Sequence, residues 1–346
     1  MLGFSVNGFF ADDIAIDLGT ANTLIHVAGK GIVIDEPSVV AVSSRGGVRD
    51  VVAIGHKAKV MLGRTPESIE AIRPLRDGVI ADFIATEEML RQFIRRARAT
   101  FNIRSPRILI CVPAGATPVE RRAVYETALS AGARKVFLIE EPVAAAIGAG
   151  LPIDEPRGSM VVDIGGGTTD IAVLSLGGVV QARSLRCAGN AMDAAIVRHV
   201  RRKHQLLIGE ANAERIKIEA GSATRAINGE AAEIYIRGRD LRLGQPKTVV
   251  LGPHDIGEAL EQPIEQIAEF IQHAIEDLPP ELSTDICERG VHLSGGGARL
   301  GKLDEELSKR IGVPFHRPEK PENCVIEGTA LILSALPERE HLLIKP

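Results

Sequence analysis

Residues 159–174 read SMVVDIGGGTTDIAVL, two short apolar runs rich in β-branched residues on either side of a glycine-rich turn. The pattern predicts a strand, a tight turn and a second strand. Gly165, Gly166 and Gly167 are expected to take positive φ angles and to bring backbone N–H groups close to a ligand. Successive amides of this kind form a nest for anions such as phosphate. An ordinary glycine-rich hairpin would have the same pattern.

Polar side chains flank this turn. Asp163 ends the first apolar run, and Thr168 and Thr169 follow the glycines. A carboxylate beside a phosphate nest would repel the phosphate unless a cation lay between them. The stretch therefore predicts a magnesium–phosphate site.

A second copy of the design lies near the start of the chain. Residues 13–25 read DIAIDLGTANTLI, again with an apolar run, an acid (Asp17), a glycine turn and another apolar run. Two such hairpins indicate an internal duplication in which two half-molecules hold one phosphate chain from opposite sides. Asp17 and Asp163 would then face a single Mg²⁺, which is typically held by one or two carboxylates plus phosphates.

A third glycine turn, SGGGA at residues 294–298, follows another predicted strand. Open α/β sheets bind ligands at the carboxyl ends of their strands, which is where all three turns are expected. The third turn has no Asp or Thr beside its glycines, so it suits close approach to something flat and uncharged, such as a nucleoside. A tight strand–helix turn is the alternative.

Length and composition exclude several classes of protein. A chain of 346 residues exceeds what one hydrophobic core usually supports, so two domains are expected. The net charge of −4 and the absence of Trp argue against nucleic-acid binding. The four cysteines and nine histidines do not cluster along the chain, which disfavours a zinc site or a disulfide framework. No apolar run approaches transmembrane length.

Alternating strand and helix patterns between residues 107 and 149 predict an α/β fold with parallel strands. Capping residues place several helices. Thr86 is predicted to cap a helix over residues 86–101, and Thr117 with Glu120 forms a capping-box pattern. Residues 58–64 are predicted to be helical, and a helix over residues 263–278 is expected to begin at Pro263.

The three turns, in this order and spacing, resemble the actin-like ATPase superfamily. Further segments are similar to those of the MreB family of bacterial rod-shape actins: IDLGTANT at 16–23, residues 73–81, AGAR at 131–134, EPVAAAIGAGLP at 141–152 and LLIG at 206–209. The similarity runs from about residue 12 to about residue 328. The chain departs from the family pattern at a few positions, which leaves open a principal member or a divergent paralogue: Asp170, Ala188, Ala191, Glu327 and Ala330.

The resemblance implies an α/β, actin-like (ribonuclease H-like) duplicated fold. Two lobes, each with a mixed sheet flanked by helices, would enclose a nucleotide cleft. The first lobe would comprise residues 1–150 plus about 322–346, with a small insertion at 32–76. The second would comprise residues 151–321, with a small insertion at about 186–247.

The resemblance also assigns roles to particular residues. Asp17 and Asp163 match the acids that hold Mg²⁺ through water, and Glu141, with Thr168 beside it, matches the acid that orients the attacking water. The nucleotide would be bound by the first phosphate loop (Gly19, Thr20, Ala21, Asn22), the second (Gly165, Gly166, Gly167, Thr168), the adenosine loop (Gly295, Gly296, Gly297) and a ribose pair (Glu214, Lys217). From the residues alone, Glu214 and Lys217 fit a surface i,i+3 ion pair equally well.

By resemblance the protein would bind ATP and Mg²⁺ and would hydrolyse ATP slowly to ADP and phosphate as it polymerises. Its partners would be other copies of itself, the inner face of the cytoplasmic membrane and membrane proteins of cell-wall elongation, with no nucleic acid. It would be cytoplasmic and peripheral on the membrane, directing cell-wall synthesis and rod shape. Residues 1–10, which are apolar, would either dip into the membrane surface or pack on the body.

Three other functions from the same superfamily remain. A non-polymerising phosphotransferase, like a sugar or acetate kinase, would need an acceptor site, and no such site is evident in the sequence. A chaperone would need an added substrate domain, for which the chain has no room. A relative from cell division would usually end in an amphipathic anchor, for which the last residues, 338–346, are short.

Overall fold

The computed structural model describes residues 13–45, 48–101, 106–224 and 233–346. They form two compact units. The first unit runs to Ile153 and resumes at Asn323–Pro346, and the second is Asp154–Glu322. Residues 1–10, for which the sequence leaves membrane contact or packing on the body, lie outside the described residues. No described helix is both long and apolar enough to cross a lipid bilayer.

The elements are given in chain order. The first unit begins with β1 Ile14–Leu18, β2 Asn22–Val27, β3 Gly31–Pro37, β4 Val40–Arg45, β5 Val48–Ile54, α1 His56–Lys59, β6 Ile69–Ile72, β7 Leu75–Arg76, β8 Val79–Ile80, α2 Phe83–Phe101, β9 Arg107–Val112, α3 Pro118–Ser130, β10 Lys135–Glu140 and α4 Glu141–Gly148. The second unit contains β11 Ser159–Ile164, β12 Thr169–Ser175, β13 Gly178–Leu185, α5 Gly189–His204, β14 Leu206–Leu207, α6 Glu210–Ala220, β15 Ile234–Asp240, β16 Pro246–Leu251, α7 Pro253–Glu276, α8 Pro280–Arg289, β17 Val291–Ser294, α9 Leu303–Ile311 and β18 Phe315–His316. The chain returns to the first unit with α10 Cys324–Ser334 and α11 Leu336–Arg339.

The main sheets of the two units have the same topology. In the first the strand order is β3-β2-β1-β9-β10, and in the second it is β13-β12-β11-β17-β18. In each, the first three strands in sequence form an antiparallel meander, and two later strands add in parallel beside the first. The internal duplication predicted from the two glycine hairpins is therefore confirmed. Each unit also carries a smaller three-stranded sheet, β5-β4-β6 in the first and β14-β15-β16 in the second.

The core of the first unit follows the two-residue period of its strands. Ile14, Ile16 and Leu18 of β1 join one cluster with residues of α2 and α3, such as Phe93. The opposite face of the sheet is covered by α10, which packs against β1, β2, β9 and α4. The first unit is therefore completed by residues from the far end of the chain.

The approach of α10 to α4 is very close. A Cβ added to Gly148 would lie 1.8 Å from the carbonyl oxygen of Cys324, and one added to Gly328 would lie 1.9 Å from that of Ala144. Neither glycine can be replaced without moving the helices apart, because the obstructing atoms belong to the backbone.

In the second unit β11 is buried along its whole length, as expected for a central strand with both faces covered. Met160, Val162 and Ile164 face one cluster, which α5 and α7 complete. Asp163 therefore points to the other face of the sheet. The glycine turn therefore begins at the end of a fully buried strand.

Two helix starts differ from the sequence prediction. Thr86 does not cap α2, which begins at Phe83: Asp82 Oδ1 accepts from the amide of Ala85 at 3.0 Å, and the Thr86 hydroxyl donates to the Asp82 carbonyl inside the helix. Likewise α7 begins at Pro253 and contains Pro263 in its interior. An interior proline costs roughly 3 kcal/mol, and burial of the long apolar stripe of α7 offsets that cost.

The predicted capping box of α3 is confirmed. The amide of Glu120 donates to Thr117 Oγ1 at 3.3 Å, and Glu120 Oε2 accepts from the amide of Thr117 at 2.8 Å. The helix predicted over residues 58–64 is shorter than expected, because α1 ends at Lys59 and the chain turns to a left-handed φ of 68° at Gly63.

Candidate functional site

The first glycine turn connects β1 to β2, and Ser38, which lies outside the turn, stabilises it through hydrogen bonds. The Ser38 hydroxyl donates to the carbonyl oxygen of Gly19 at 2.6 Å and lies 2.9 Å from the Thr23 hydroxyl. The Ser38 amide donates to the carbonyl of Ala21 at 2.9 Å. Sequence reasoning missed Ser38, because it lies on the segment after β3 and no local pattern links it to the turn.

The predicted site residues of the first turn differ in exposure. Thr20 is buried and Asp17 is half-buried, whereas Asn22 is exposed and donates to Asp35 Oδ1 at 3.0 Å. A Cβ on Gly19 would lie 2.7 Å from the carbonyl oxygen of Asn22. The glycine is therefore required by a close backbone approach, which keeps the turn narrow.

The second glycine turn connects β11 to β12 and contacts the start of α5. The amide of Gly165 donates to the Thr168 carbonyl at 2.9 Å, which closes the turn. The amides of Gly189 and Asn190 donate to the carbonyls of Gly165 and Gly166 at 3.2 and 2.7 Å. The positive end of a helix dipole therefore lies beside this turn.

The expected positive φ angles are wrong for this turn. The described glycines with positive φ do not include Gly165, Gly166 or Gly167. Close packing accounts for the glycine at position 189. A Cβ there would lie 3.3 Å from the Gly165 carbonyl oxygen, which is a tight contact. The small residues here let a helix end approach the turn.

Two buried acids stand side by side next to the second turn. Asp163 and Asp170 are direct partners in the antiparallel β11–β12 pair, so their side chains share one face of the sheet. They are 5% and 0% exposed. Sequence analysis noted Asp170 only as a departure from the family pattern. A pair of this kind was not predicted, because the register of a hairpin decides which residues oppose each other.

Burial raises the pKa of both acids. For Asp163, burial raises the pKa to about 7; the hydrogen bond to Ser294 opposes the rise, and the neighbouring Asp170 adds to it. Burial also raises the pKa of Asp170, against the hydroxyls of Thr168 and Ser184. Oδ1 of Asp163 is buried and accepts no hydrogen bond from any described residue. Two adjacent buried carboxylates with an unused oxygen are the donor set that a hard divalent cation requires, so these residues fit Mg²⁺.

The third glycine turn packs onto the end of β11. Gly295 has φ 83° and ψ 164°, and its Cβ would lie 2.4 Å from the carbonyl oxygen of Ile164. A Cβ on Gly297 would lie 2.5 Å from Ile164 Cγ2, whereas one on Gly296 would have no atom of a described residue within 4 Å. Within the second unit the structure therefore brings together the second and third turns, with Gly296 facing open space.

Lys217 contacts the start of α5, which lies beside the second glycine turn. It lies on α6, and its Nζ donates to the carbonyl of Gly189 and contacts Asp193 Oδ1, both at 2.9 Å. Glu214 lies one turn earlier on α6 and is half-buried. Lys217 therefore connects α6 to the first residue of α5, which in turn contacts the second glycine turn.

Glu141 lies in the first unit. It is the first residue of α4, directly after β10, and it is 7% exposed. Strands β1, β9 and β10 are parallel, so the turn after β1 and Glu141 lie at the same edge of the first sheet.

Comparisons with known proteins show the family and the fold. The family model described as MreB/Mbl protein matches residues 11–341. The cell shape-determining protein MreB of Escherichia coli (strain K12) is 55% identical over 324 residues, which cover 93% of each chain.

Solved structures match over nearly the whole chain. MreB5 of Spiroplasma citri has been solved bound to ADP and to AMPPNP, with TM-scores of 0.88 and 0.87 and 35% identity. The match covers 95% of this chain in both cases, and 98% and 97% of the two MreB5 chains. The MamK double helical filament, at 21% identity and a TM-score of 0.76, covers 92% of this chain and 98% of its own and shares the fold. The chain therefore belongs to the MreB/Mbl family of cell shape-determining proteins and has an actin-like fold.

Proposed function

We propose that this chain is an ATP-dependent filament protein of the cell-shape machinery. It binds ATP with Mg²⁺, hydrolyses ATP slowly to ADP and phosphate, and polymerises with copies of itself. The observation that carries the proposal is the buried Asp163–Asp170 pair beside a glycine turn, because that pair can bind a cation and the turn suits the phosphates that accompany it. The nucleotides bound by Spiroplasma citri MreB5 support it.

The phosphates are assigned to the two turns. Gly19, Thr20, Ala21 and Asn22 form the first phosphate loop, and Gly165, Gly166, Gly167 and Thr168 form the second. The α5 N-terminus beside the second loop favours negative charge. Asp17 and Asp163 are assigned to Mg²⁺ through water. That Asp17 and Asp163 bind the same Mg²⁺ stays a prediction.

The nucleoside is assigned to the second unit. Gly296 faces open space, which leaves room for a flat base against the backbone of residues 295–297. Glu214 and Lys217 are assigned to the ribose. An ammonium group has three donors, and the contacts of Lys217 to Gly189 and Asp193 use two of them, so a third can serve a ribose hydroxyl.

Hydrolysis is assigned to Glu141 together with Thr168. The task is to hold a water in line with the γ-phosphorus, because positioning supplies most of the catalysis in phosphoryl transfer. Glu141 is buried and fixed at a helix start, so its carboxylate is held in a defined direction. Mg²⁺, when bound, supplies charge neutralisation at the phosphate oxygens.

The filament is assigned to the inner face of the cytoplasmic membrane, where membrane proteins of cell-wall elongation are its expected partners. Residues 1–10 are the candidate membrane contact, through Leu2, Phe4, Phe9 and Phe10. Deleting residues 2–10 tests the contact. Liposome co-sedimentation that survives the deletion would exclude this segment.

Sedimentation tests the filament proposal. The purified chain is centrifuged with Mg²⁺ and either ATP or no nucleotide, with and without lipid vesicles, over a range of protein concentrations. We expect a sedimentable polymer that depends on ATP. Absence of polymer under every condition contradicts the proposal. ATP turnover that is stimulated by a small metabolite, with no polymer, would instead indicate a phosphotransferase like a sugar or acetate kinase.

Glu141→Ala separates catalysis from binding. Removing the carboxylate that orients water should slow phosphate release by about a hundredfold or more while ATP binding is retained. Phosphate release and nucleotide affinity are measured in parallel, with Glu140→Ala as the matched control one residue earlier. Equal loss of binding and turnover in Glu141→Ala would make Glu141 a structural residue.

A further inference from the structure

Two histidines and an aspartate meet where α5 ends and α7 begins. His199 and His204 belong to the last turns of α5, and Asp255 belongs to the first turn of α7. In sequence the aspartate is far from both histidines, so spacing along the chain does not reveal the group. The cluster lies within the second unit and includes none of the residues assigned to the nucleotide.

The distances between the candidate ligand atoms are a little longer than those around a bound metal ion. Nε2 of His199 and Nε2 of His204 each lie 3.9 Å from Oδ1 of Asp255. One ligand atom from each residue lies within 4.8 Å of the others. Ligands at about 2.0–2.1 Å from a tetrahedral zinc ion lie roughly 3.3 Å from one another. Small side-chain rotations would therefore bring all three into coordination.

The two histidines leave ring nitrogens unsatisfied. His199 is 4% exposed, and neither of its ring nitrogens has a hydrogen-bond partner among the described residues. The buried Nε2 of His204 is also without one. A buried polar group without a partner is costly, so such groups usually have a ligand or bound water. This observation is independent of the spacing of the three residues.

The acid of the cluster is oriented and already attracts a cation. Oδ2 of Asp255 accepts from the amide of Gly252 at 3.2 Å, which leaves Oδ1 directed to the histidines. The ammonium of Lys203 lies 2.6 Å from that Oδ1 and 3.1 Å from Glu258 Oε2. The Lys203 side chain is half-exposed and flexible. Its ammonium group can therefore move away from Asp255 when a metal ion that binds imidazole takes its place.

His199, alone of the three residues, also lines a cavity of about 510 Å³ between α5 and α7. Its charged lining residues come from both helices: Arg198, Arg202, Glu258, Glu261 and Glu265. The cavity beside His199 therefore has charged groups of both signs.

We propose that His199, His204 and Asp255 form a binding site for a transition-metal ion of the zinc class, with water in the fourth position. Two imidazoles and one carboxylate suit Zn²⁺, Co²⁺ or Ni²⁺ and do not suit Mg²⁺, which prefers oxygen ligands. The bound ion links the end of α5 to the start of α7 and stabilises the second unit.

Zinc titration tests the site directly. The full chain, made without a polyhistidine tag and freed of metal with a chelator, is titrated with Zn²⁺ by calorimetry, and bound zinc is counted after dialysis. We expect one zinc per chain, unaffected by excess Mg²⁺, and a higher midpoint of thermal unfolding with zinc. No zinc binding by the unaltered chain would overturn the proposal.

Variants assign the ion to these residues. His204→Gln and Asp255→Asn should each weaken zinc binding by at least about tenfold. His254→Gln is the matched control, because His254 is exposed, lies next to Asp255 and is outside the cluster. Circular dichroism confirms that each variant is folded. Zinc binding that is unchanged in both His204→Gln and Asp255→Asn would place the ion elsewhere and overturn the proposal.

Lys203→Gln offers a test that leaves every ligand in place. It removes the ammonium that competes at Asp255 Oδ1, so zinc should bind more tightly than to the unaltered chain. Lys203 is exposed enough that its loss should not unfold the chain. Weaker zinc binding in Lys203→Gln would contradict the proposed competition between the Lys203 ammonium and the metal ion for Asp255.

Discussion

The glycine turns of the two units occupy equivalent places in matching sheets, yet different groups hold them. In the first unit hydroxyl groups surround the turn, with Ser38 bonded to Gly19 and close to Thr23. In the second unit the start of α5 contacts the turn, and two acids, Asp163 and Asp170, are buried beside it. The first turn is held by neutral hydrogen bonds, whereas the second lies beside two buried carboxyl groups whose pKa values are raised by burial.

This difference indicates how a duplicated fold divides one task. Both copies kept the backbone hairpin that suits a phosphate chain, but the buried carboxylate pair is in the second unit. Asp17 of the first unit, by contrast, is only half-buried. The second unit should therefore depend on a bound cation much more than the first does.

The largest expected effect comes from removing the buried acid. Asp163→Asn should weaken Mg²⁺-dependent ATP binding by roughly 3–5 kcal/mol, because it removes one partner of a buried charge interaction. Asp17→Asn, at a half-buried position, should cost less. Calorimetric titration of both variants with ATP and Mg²⁺ measures the difference. Equal losses would mean that the two units contribute alike to the cation.

The next effect concerns the backbone of the second unit. Gly295→Ala should destabilise the chain by about 3 kcal/mol, because Gly295 has a φ and ψ that only glycine readily adopts and its Cβ would overlap the Ile164 carbonyl. Gly296→Ala is the matched control, with open space for its Cβ. It should leave the unfolding midpoint unchanged and weaken nucleotide binding. Denaturant unfolding of both variants tests the packing, and a stable Gly295→Ala would contradict it.

The buried acid should also make stability depend on pH. The pKa of Asp163 is about 7 in the folded chain against 3.8 ordinarily, so the folded state binds the proton more tightly. Its stabilising contribution is complete below about pH 4 and is lost as pH rises through about 7. Without ligand, the unaltered chain should lose about 2 kcal/mol relative to Asp163→Asn between about pH 5 and pH 8. Thermal unfolding at both pH values measures this difference, and parallel curves would refute it.

The smallest effect belongs to the first turn. Ser38→Ala removes the hydrogen bond to the Gly19 carbonyl and the contact with Thr23 and should cost about 1–2 kcal/mol of unfolding free energy. Ser334→Ala, in which the lost bond joins a hydroxyl to its own helix at an exposed site, is the control and should cost less. A larger loss in the control would mean that Ser38 does not hold the turn.

Local patterns predicted what local contacts decide. The two glycine hairpins, the Thr117 capping box and the strand–helix alternation each depend on residues within a few positions of one another, and the structure contains them all. Thr86 was the wrong cap because Asp82, a few residues earlier, makes the better bond to the helix amide. Proline favours the first position of a helix, so the sequence predicts a start at Pro263, but buried packing carries α7 through this residue.

What the sequence could not supply are contacts between distant segments. Ser38 reaches a turn that precedes it by two strands, and no periodicity marks that contact. The pairing of Asp163 with Asp170 depends on hairpin register, and the meeting of His199 with Asp255 depends on how α5 packs on α7. Each is set by tertiary structure, which composition and spacing do not specify.

The return of the chain to its first unit has a consequence for synthesis. Helix α10 fills one face of the first sheet, and Gly148 and Gly328 allow it to dock backbone against backbone on α4. A ribosome delivers residues in order at roughly 5–20 per second, so the contiguous second unit has all its residues before the first unit has its last helix. A nascent chain halted ahead of residue 323 would leave that apolar face exposed to water until translation resumes.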